Sequence, residues 1–275
     1  MALHITSLNS GSNGNCYYIG NEKEAVLVDA GLSCRETEKR MLRLGLDMKK
    51  VKAIFISHEH SDHISGLPVI SKKYSLPVYI TEATYAKSGQ QLLPSSLHWL
   101  KAQQSISIGN LGITAFPKKH DAADAHSFII CCNGITVGVF TDIGEACSNV
   151  TRFFSQCHAA FLESNYDEDM LENGRYPEYL KKRIRGSHGH LSNMQALEIF
   201  TAHRPPFMNH LLLSHLSKDN NDPLLAKQLF ETHAMQTKII VASRYRETEV
   251  FLIESFSKAG KLTIKLNPVQ LALFE

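Results

Sequence analysis

The sequence predicts one α/β domain with two β-sheets and helices on their outer faces. The chain has 275 residues, of which 43% are hydrophobic and 20% charged, and this is enough for a full core. Short apolar runs typical of strands alternate with amphipathic stretches along the chain. No linker rich in Pro, Gly or Ser divides it, so we expect residues 1–275 to form a single domain.

Strands dominate the predicted elements of the first half. A capping box of Ser33 and Glu36 predicts a helix that ends before Gly45, and a short helix is expected from about Ser65. The predicted strands are residues 4–8, 16–19, 24–28, 51–57, 77–80, a segment around 106, 112–116, 127–132 and 135–140.

Strands followed by helices are predicted for the second half. Asn193 can cap a helix that runs through Arg204, because its apolar residues recur at helical spacing. The predicted strands are residues 159–162, 211–214, 238–242 and 263–266.

Composition excludes several classes of protein. The net charge of +2 gives no global basic field that would indicate a nucleic-acid partner. No segment approaches the roughly 20 apolar residues that span a bilayer, and residues 1–7 lack the features of a signal peptide. The six cysteines form no C-x-x-C pair and fit reduced, buried thiols. We therefore expect a cytoplasmic protein without a membrane partner.

Local basic segments remain as candidates for binding an anion. A cluster before Gly186 is either a solvated helix face or a local nucleic-acid patch. Its members are Lys181, Lys182, Arg183 and Arg185, and Arg204, Arg244 and Arg246 lie in other late segments.

The segment from residue 58 to residue 63 places four metal-binding side chains after a predicted strand. His58 and His60 are two positions apart, so at a strand end both imidazoles can reach one cation. Asp62 and His63 follow in the turn and can hold a second cation beside the first. Two such metals can share one hydroxide and clamp the attacking and leaving oxygens of a hydrolysis. The alternative is an exposed, His-rich turn.

Further candidate ligands follow apolar strands elsewhere in the chain. They are Asp29, His120, Asp142 and His215. Each aspartate alone is also explained as a turn former, whereas the two histidines are harder to explain in that way. Their repetition at strand ends predicts one shared rim.

Together these motifs resemble the metallo-β-lactamase-fold hydrolases nearly end to end. The resemblance implies an αββα four-layer sandwich with two metals at one rim. It implies that one metal is held by His58, His60 and His120, the other by Asp62, His63 and His215, and that Asp142 bridges them. Asp29 would orient the loop behind the ligands. A bridging aspartate favours the phosphodiesterase and thioesterase branches.

Finer features of the resemblance narrow the branch. Glu163 and His190 resemble the pair that ribonuclease Z-like phosphodiesterases place between the last two motifs. With the segments 11–16 and 215–221, the chain looks most like the bacterial YycJ/WalJ group, for which DNA exonuclease activity has been proposed. Residues 121–127 depart from that group, and His126 offers a second imidazole near His120, which leaves the third motif open.

The predicted function is therefore a dinuclear metal-dependent phosphodiesterase or nuclease of the DNA exonuclease type. A metal-bridging hydroxide would attack, Asp62 would hold it in line, and His190, oriented by Glu163, would protonate the leaving oxygen. A buried salt bridge is the alternative for the Glu163–His190 pair. The metals are expected to be Zn²⁺ or Mn²⁺, with Fe as a further option. The alternative function is a thioester or lactone hydrolase of the same fold.

Two backbone segments are candidate phosphate anchors. The Gly11–Gly14 loop is either a nest of N–H groups or a plain tight turn. Ser192 and Asn193 stand at the start of a predicted helix and are either an anion site or an ordinary cap. Trp99 and the tyrosines show no pattern of a base-stacking platform.

Overall fold

A computed structural model of the chain describes residues 2–254. Its strands are β1 (Leu3–Asn9), β2 (Cys16–Gly20), β3 (Ala25–Val28), β4 (Val51–Phe55), β5 (Val78–Ile80), β6 (Leu97–Trp99), β7 (Ser105–Ile108), β8 (Leu111–Pro117), β9 (His126–Cys132), β10 (Ile135–Phe140), β11 (Ala159–Glu163), β12 (His210–Ser214), β13 (Lys238–Val241) and β14 (Phe251–Ile253). The strand predicted at 263–266 lies outside the described residues.

Helices occupy the connections between these strands. They are α1 (Cys34–Arg43), α2 (Ser61–Ile64), α3 (Leu67–Tyr74), α4 (Glu82–Ser88), α5 (Ser148–Phe154), α6 (Glu168–Asn173), α7 (Glu178–Arg185), α8 (Asn193–His203) and α9 (Pro223–Glu231), with 3₁₀ turns at Met48–Lys50 and Pro94–Ser96. Within residues 2–254 no helix has the length and apolar character to cross a membrane.

Caps fix where two of the predicted helices begin. Ser33 caps α1 as expected, because its hydroxyl accepts the Glu36 N–H at 3.3 Å. The prediction that Asn193 caps α8 was wrong by one residue. Ser192 is the cap, since its side chain and that of Gln195 each accept the other's backbone N–H in a capping box.

Two seven-stranded sheets carry the strands, and both have the same internal plan. The first has the order β14-β1-β2-β3-β4-β5-β6, and the second has the order β13-β12-β11-β10-β9-β8-β7. In the first sheet β3 to β6 are parallel, and in the second β10 to β13 are parallel. The remaining pairs are antiparallel. Parallel neighbours end at the same edge, so the loops after them meet at one rim.

The hydrophobic core forms three layers of contact. Phe55, Phe128 and Phe161 pack between the two sheets. Met41 of α1 and Ile70 of α3 cover the outer face of the first sheet. The outer face of the second sheet is covered by α5, α8 and α9. The arrangement is the predicted αββα sandwich.

Candidate metal centre

The predicted metal ligands, together with Asp29, converge at one rim of the sandwich. Each follows a strand or begins the helix after it: Asp29 after β3, His58, His60, Asp62 and His63 between β4 and the end of α2, His120 after β8, Asp142 after β10, and His215 after β12. Both sheets therefore contribute donors.

Three of these residues have left-handed backbone conformations within two residues of the end of their strands. The φ angles are 62° at Asp29, 53° at Asp142 and 55° at His215. Aspartate and histidine tolerate this region better than most side chains, although it is still costly. The sharp turn ends each strand at the rim, and strain of this kind is commonly concentrated at functional sites.

His58, His60 and His120 form the first group of donors. The His58 Nε2 lies 3.0 Å from the His60 Nδ1, and the His120 Nε2 lies 3.4 Å from the same atom. Nitrogens bound tetrahedrally at about 2.0–2.1 Å from one metal are separated by about 3.4 Å. The spacing therefore suits a shared cation.

Asp62, His63 and His215 form the second group. The Asp62 Oδ2 lies 3.5 Å from the Nε2 atoms of both His63 and His215. Asp62 and His63 belong to the first turn of α2 rather than to an irregular turn, which fixes their backbone. The three donor atoms are close enough for one ion.

Asp142 lies between the two groups and is buried. Its Oδ2 is 3.3 Å from the His63 Nε2, and its Oδ1 is 3.9 Å from the His120 Nε2. The Oδ1 also lies 3.4 Å from the His215 Nδ1, so the carboxylate lies close to imidazoles of both groups. This geometry suits a carboxylate that bridges two cations.

Unpartnered buried atoms test whether these residues fit a metal. The Asp142 Oδ2 and the His215 Nε2 are both buried, and among residues 2–254 neither has a hydrogen-bond partner. An unsatisfied buried polar atom typically costs about 1–3 kcal/mol, so both atoms lack an expected partner. A divalent cation would satisfy both, and imidazole with carboxylate is a donor set for Zn²⁺, Mn²⁺ or Fe.

Asp29 lies behind the ligands and orients them. Its two oxygens accept the Ser57 N–H at 2.8 Å, the Ser57 hydroxyl at 2.9 Å and the His63 Nδ1–H at 2.7 Å. The Ser57 hydroxyl in turn accepts the His58 Nδ1–H at 2.9 Å. Both imidazoles therefore direct their Nε2 atoms toward the site, as is usual for metal-binding histidines.

Glu163 is fully buried at the end of β11 and accepts four hydrogen bonds. Its Oε1 accepts from the Nδ1 atoms of His190, at 2.7 Å, and His215, at 3.1 Å. Its Oε2 accepts from the N–H groups of Ile143 and Leu191. Since these contacts occupy both oxygens, Glu163 suits orienting the two imidazoles better than binding a metal.

His190 stands at the solvent side of the same site. Its side chain is 20% exposed, and its ring lies between those of His120 and His215, with centroid distances of 5.2 and 5.3 Å. With Nδ1 bound to Glu163, the Nε2 is the atom left for a substrate. His190 therefore contacts Glu163 on one side, but its ring is accessible, unlike that of a fully buried salt bridge.

The imidazoles of the site fall into two groups, one with lowered and one with raised pKa values. Burial lowers the pKa of His58 well below its usual value and that of His120 to about 4. Burial acts in the same direction on His63 and His215, but nearby carboxylates, foremost Asp142, outweigh it and raise both pKa values, that of His215 to about 10. Burial opposes ionisation of Asp142, yet His215 and His63 hold its pKa well below the usual range.

His126, the alternative third-motif ligand, does not join the donor groups. It is buried at the start of β9, and its Nδ1 lies 3.0 Å from the Asp124 carbonyl oxygen. His120 instead occupies the position beside His58 and His60. His126 is therefore close to His120 in sequence but belongs to none of the donor groups.

The glycine-rich loop supports Asp62 and does not present an open nest. The Asn15 Nδ2 lies 3.1 Å from the Asp62 Oδ2, and the Asn15 N–H donates to the Asp62 carbonyl. Within the loop the Gly11 N–H donates to the Asn15 Oδ1 and the Gly14 N–H to the Gly11 carbonyl. A Cβ at residue Gly31 would lie 1.7 Å from the backbone carbonyl oxygen of Asp62, so the close approach of these two segments requires glycine. These observations favour the tight turn.

The start of α8 is likewise occupied by internal contacts. The Asn193 Oδ1 accepts from the Ser164 hydroxyl at 2.6 Å and from the Asn221 amide at 2.9 Å. Ser192 and Asn193 are both buried. The geometry favours the ordinary helix cap.

Sequence reasoning missed a buried cation behind the centre. Lys118 is buried, and its Nζ donates to the Thr141 carbonyl, directly before Asp142. Burial lowers its pKa, while nearby carboxylates, foremost Asp142, oppose this effect. Lysine is rarely buried, so nothing in the sequence indicated this position. Asn15 and Ser57 were missed because amide and hydroxyl side chains near a turn are unremarkable.

Comparisons with known proteins identify the family of the chain. The model of the "Beta-lactamase superfamily domain" matches residues 24–215. The chain is 35% identical over 230 residues to "Exodeoxyribonuclease YycJ" of Bacillus anthracis, covering 82% of this chain and 87% of that protein. It is 30% identical over 244 residues to "Exodeoxyribonuclease WalJ" of Streptococcus pneumoniae, covering 87% and 91%.

Solved structures share the fold. The metallo-beta-lactamase fold protein YhfI of Bacillus subtilis superposes with a TM-score of 0.70 at 17% identity, over 92% of this chain and 100% of that one. The resemblance predicted from the motifs is thus confirmed, and the chain belongs to the beta-lactamase superfamily.

Proposed function

We propose that the chain is a metal-dependent phosphodiesterase that acts as a nuclease, with DNA as its substrate. The observation that carries this proposal is the Glu163–His190 pair beside the two donor groups. A sugar alkoxide is a poor leaving group, and a positioned acid typically accelerates its departure 10²–10⁴-fold. The relatives named exodeoxyribonucleases support a nucleic-acid substrate.

Two divalent cations, when bound, supply a low-pKa water as nucleophile and polarise the phosphoryl oxygens. The proposed ligands are His58, His60 and His120 for one ion, Asp62, His63 and His215 for the other, and Asp142 for both. Zn²⁺ and Mn²⁺ are the proposed ions, and Fe is the further option.

The remaining catalytic work falls to three side chains. Asp62 is held by Asn15 and lies 17% exposed at the mouth of the site, where it can also align the nucleophile. Glu163 fixes the His190 ring through Nδ1, so that the Nε2 proton points away from Glu163. His190 then donates this proton to the departing sugar oxygen and is reloaded from solvent.

A reducing compartment, the cytoplasm, is the proposed location. All six cysteines lie within the described residues, and none forms a disulfide. Several cysteines that all remain free thiols are typical of proteins kept under reducing conditions.

Hydrolysis assays with defined metal content test the function. The protein is stripped with chelator, reloaded with Mn²⁺ or Zn²⁺, and given end-labelled double-stranded DNA, single-stranded DNA and RNA. A thioester and bis(p-nitrophenyl) phosphate are assayed in parallel. We expect metal-dependent release of mononucleotides from DNA.

A matched pair of histidine variants completes the test. His58→Ala should lose both metal and hydrolysis, whereas His98→Ala, an exposed histidine of β6, should retain both. Turnover of the thioester with inert nucleic acids would refute the proposal and favour the alternative, because a thiolate leaves without an acid such as His190.

A further inference from the structure

A cavity of about 720 Å³ lies beside the metal centre and belongs to none of the donor groups. Ser10 and Leu216 line the end that borders the centre. The Ser10 hydroxyl accepts the His215 N–H at 2.7 Å, and Leu216 follows His215 in the chain. The cavity therefore begins one residue away from a proposed ligand.

Three cations line this cavity: Lys218, Arg244 and Arg246. Within residues 2–254 none of them forms an ion pair with a carboxylate. The Arg244 Nη1 is buried and has no hydrogen-bond partner in this part of the chain. A buried guanidinium nitrogen in that state lacks an expected acceptor.

The acidic residues that line the cavity are already engaged. Asp222 caps α9 by accepting the N–H groups at its start. Glu247 forms a bidentate pair with Arg43 at 2.7 Å, and Glu249 lies 3.1 Å from the Lys238 Nζ. The charge left over in the cavity is therefore positive.

The basic cluster singled out in the sequence shows the opposite pattern. Arg183 pairs with Asp121, and Arg185 contacts the carboxylates of Glu172 and Glu178. The Lys181 Nζ donates to a backbone carbonyl. These contacts within the protein favour a solvated helix face over a nucleic-acid patch.

Arg244 is anchored to the same loop that supports Asp62. The Asn13 amide donates to the Arg244 carbonyl at 2.8 Å, and the Ser10 N–H donates to the Ser243 carbonyl at 3.1 Å. A Cβ at Gly11 would lie 3.2 Å from the Arg244 Cβ, so the two backbones are in close contact. The position of the arginine is thus set relative to the metal centre.

We propose that this cavity binds a backbone phosphate of the nucleic-acid strand next to the scissile one, with Arg244 as the principal contact. The inference rests on the proposed nuclease function and deepens it. Arg244 supplies paired N–H donors that match phosphate oxygens, and Lys218 and Arg246 add positive charge. Phe251 and Ile240 line the same cavity and offer an apolar surface to the attached sugar or base.

Binding to metal-free protein tests this inference separately from catalysis. Fluorescence anisotropy is measured with labelled single-stranded DNA and RNA for the wild type, Arg244→Gln and Arg152→Gln. Arg152 is an exposed arginine of α5 outside the cavity, so it controls for the loss of one charge. Glutamine keeps the stem that packs against the Gly11 loop.

Loss of one charged phosphate contact should weaken binding about tenfold in Arg244→Gln. The slope of log affinity against log salt should fall by about 0.7, the value for one contact to a single strand. Arg152→Gln should match the wild type. Turnover of bis(p-nitrophenyl) phosphate, which has no neighbouring phosphate, should be unchanged in Arg152→Gln and should fall less than turnover of DNA in Arg244→Gln.

Equal affinity and equal salt slope in Arg244→Gln and the wild type would overturn the subsite while leaving the nuclease function intact. Wild-type protein that binds neither oligonucleotide would also overturn the subsite, whereas the metal-reloaded hydrolysis assay decides the nuclease function independently. A loss of affinity in Arg244→Gln for DNA alone, or for RNA alone, would support the subsite and identify the type of nucleic acid that the cavity accepts.

Discussion

Replacement of His190 by alanine separates the roles of acid and metal ligand. The His190 ring is partly exposed, and its Nδ1 is bound to Glu163, which keeps its contacts with His215 and two backbone N–H groups in the variant. We therefore expect the fold and the metals to remain. The acid contribution of 10²–10⁴-fold corresponds to about 2.7–5.4 kcal/mol of barrier.

The assay compares two leaving groups on the same protein. DNA hydrolysis, which expels a sugar alkoxide, should slow 10²–10⁴-fold in His190→Ala. Hydrolysis of bis(p-nitrophenyl) phosphate, which expels a good leaving group, should change by less than about threefold. His188→Ala, an exposed histidine two residues earlier, is the matched control and should behave as the wild type in both assays.

Metal content distinguishes an acid role for His190 from a metal-ligand role. Elemental analysis of His190→Ala should give the same metal-to-protein ratio as the wild type. Loss of metal would refute the assignment, because His190 also lies within ligand distance of Asp142 and His215. Equal losses on both substrates would refute it as well.

Three further predictions concern residues around the metals. Asp29→Asn should weaken metal binding or activity 10–100-fold, because an amide group then replaces the carboxylate whose Oδ2 accepts hydrogen bonds from Ser57 and His63. Metal titration measures the change, and an unchanged metal affinity would contradict the role of Asp29. Lys118→Met should destabilise the metal-free protein by about 2 kcal/mol and be partly rescued by Mn²⁺ in thermal melts, because it removes a buried cation that faces the site carboxylates. The folded-state pKa values of His63 and His215 are raised, so the stabilisation that comes from their protonation is present below pH 6.5 and is lost as the pH rises through about 10 for His215. Metal binding near neutral pH should therefore release protons, which calorimetry in buffers of different ionisation enthalpy would measure. Binding that does not depend on the buffer would refute this prediction.

Candidate ligand positions were predictable where a polar residue closely followed an apolar strand. His58, His120, Asp142 and His215 all stand in such positions, and the structure brings them to one rim. The strand pattern was also visible, because buried parallel strands are continuous apolar runs. Short helices such as α4 and α6 were not predicted, since seven or six residues give too little periodicity.

Supporting residues were less predictable because their roles depend on contacts between distant segments. Lys118 and Asn15 act through neighbours that come from other parts of the chain. The basic residues illustrate the same limit. A sequence shows the cluster at 181–185 more clearly than Arg244, yet only the structure shows that Arg183 and Arg185 are ion-paired and that Arg244 pairs with no carboxylate among residues 2–254.

Strand order explains why the acid pair and the ligands meet. Asp142, Glu163 and His215 follow or end β10, β11 and β12, which are adjacent and parallel, so their side chains arrive at the same edge in spatial order. Glu163, on the middle strand, contacts His215 directly and also contacts His190, which lies in the loop before α8. One buried carboxylate therefore fixes both a proposed metal ligand and the proposed acid, which ties proton donation to the geometry of the metal centre.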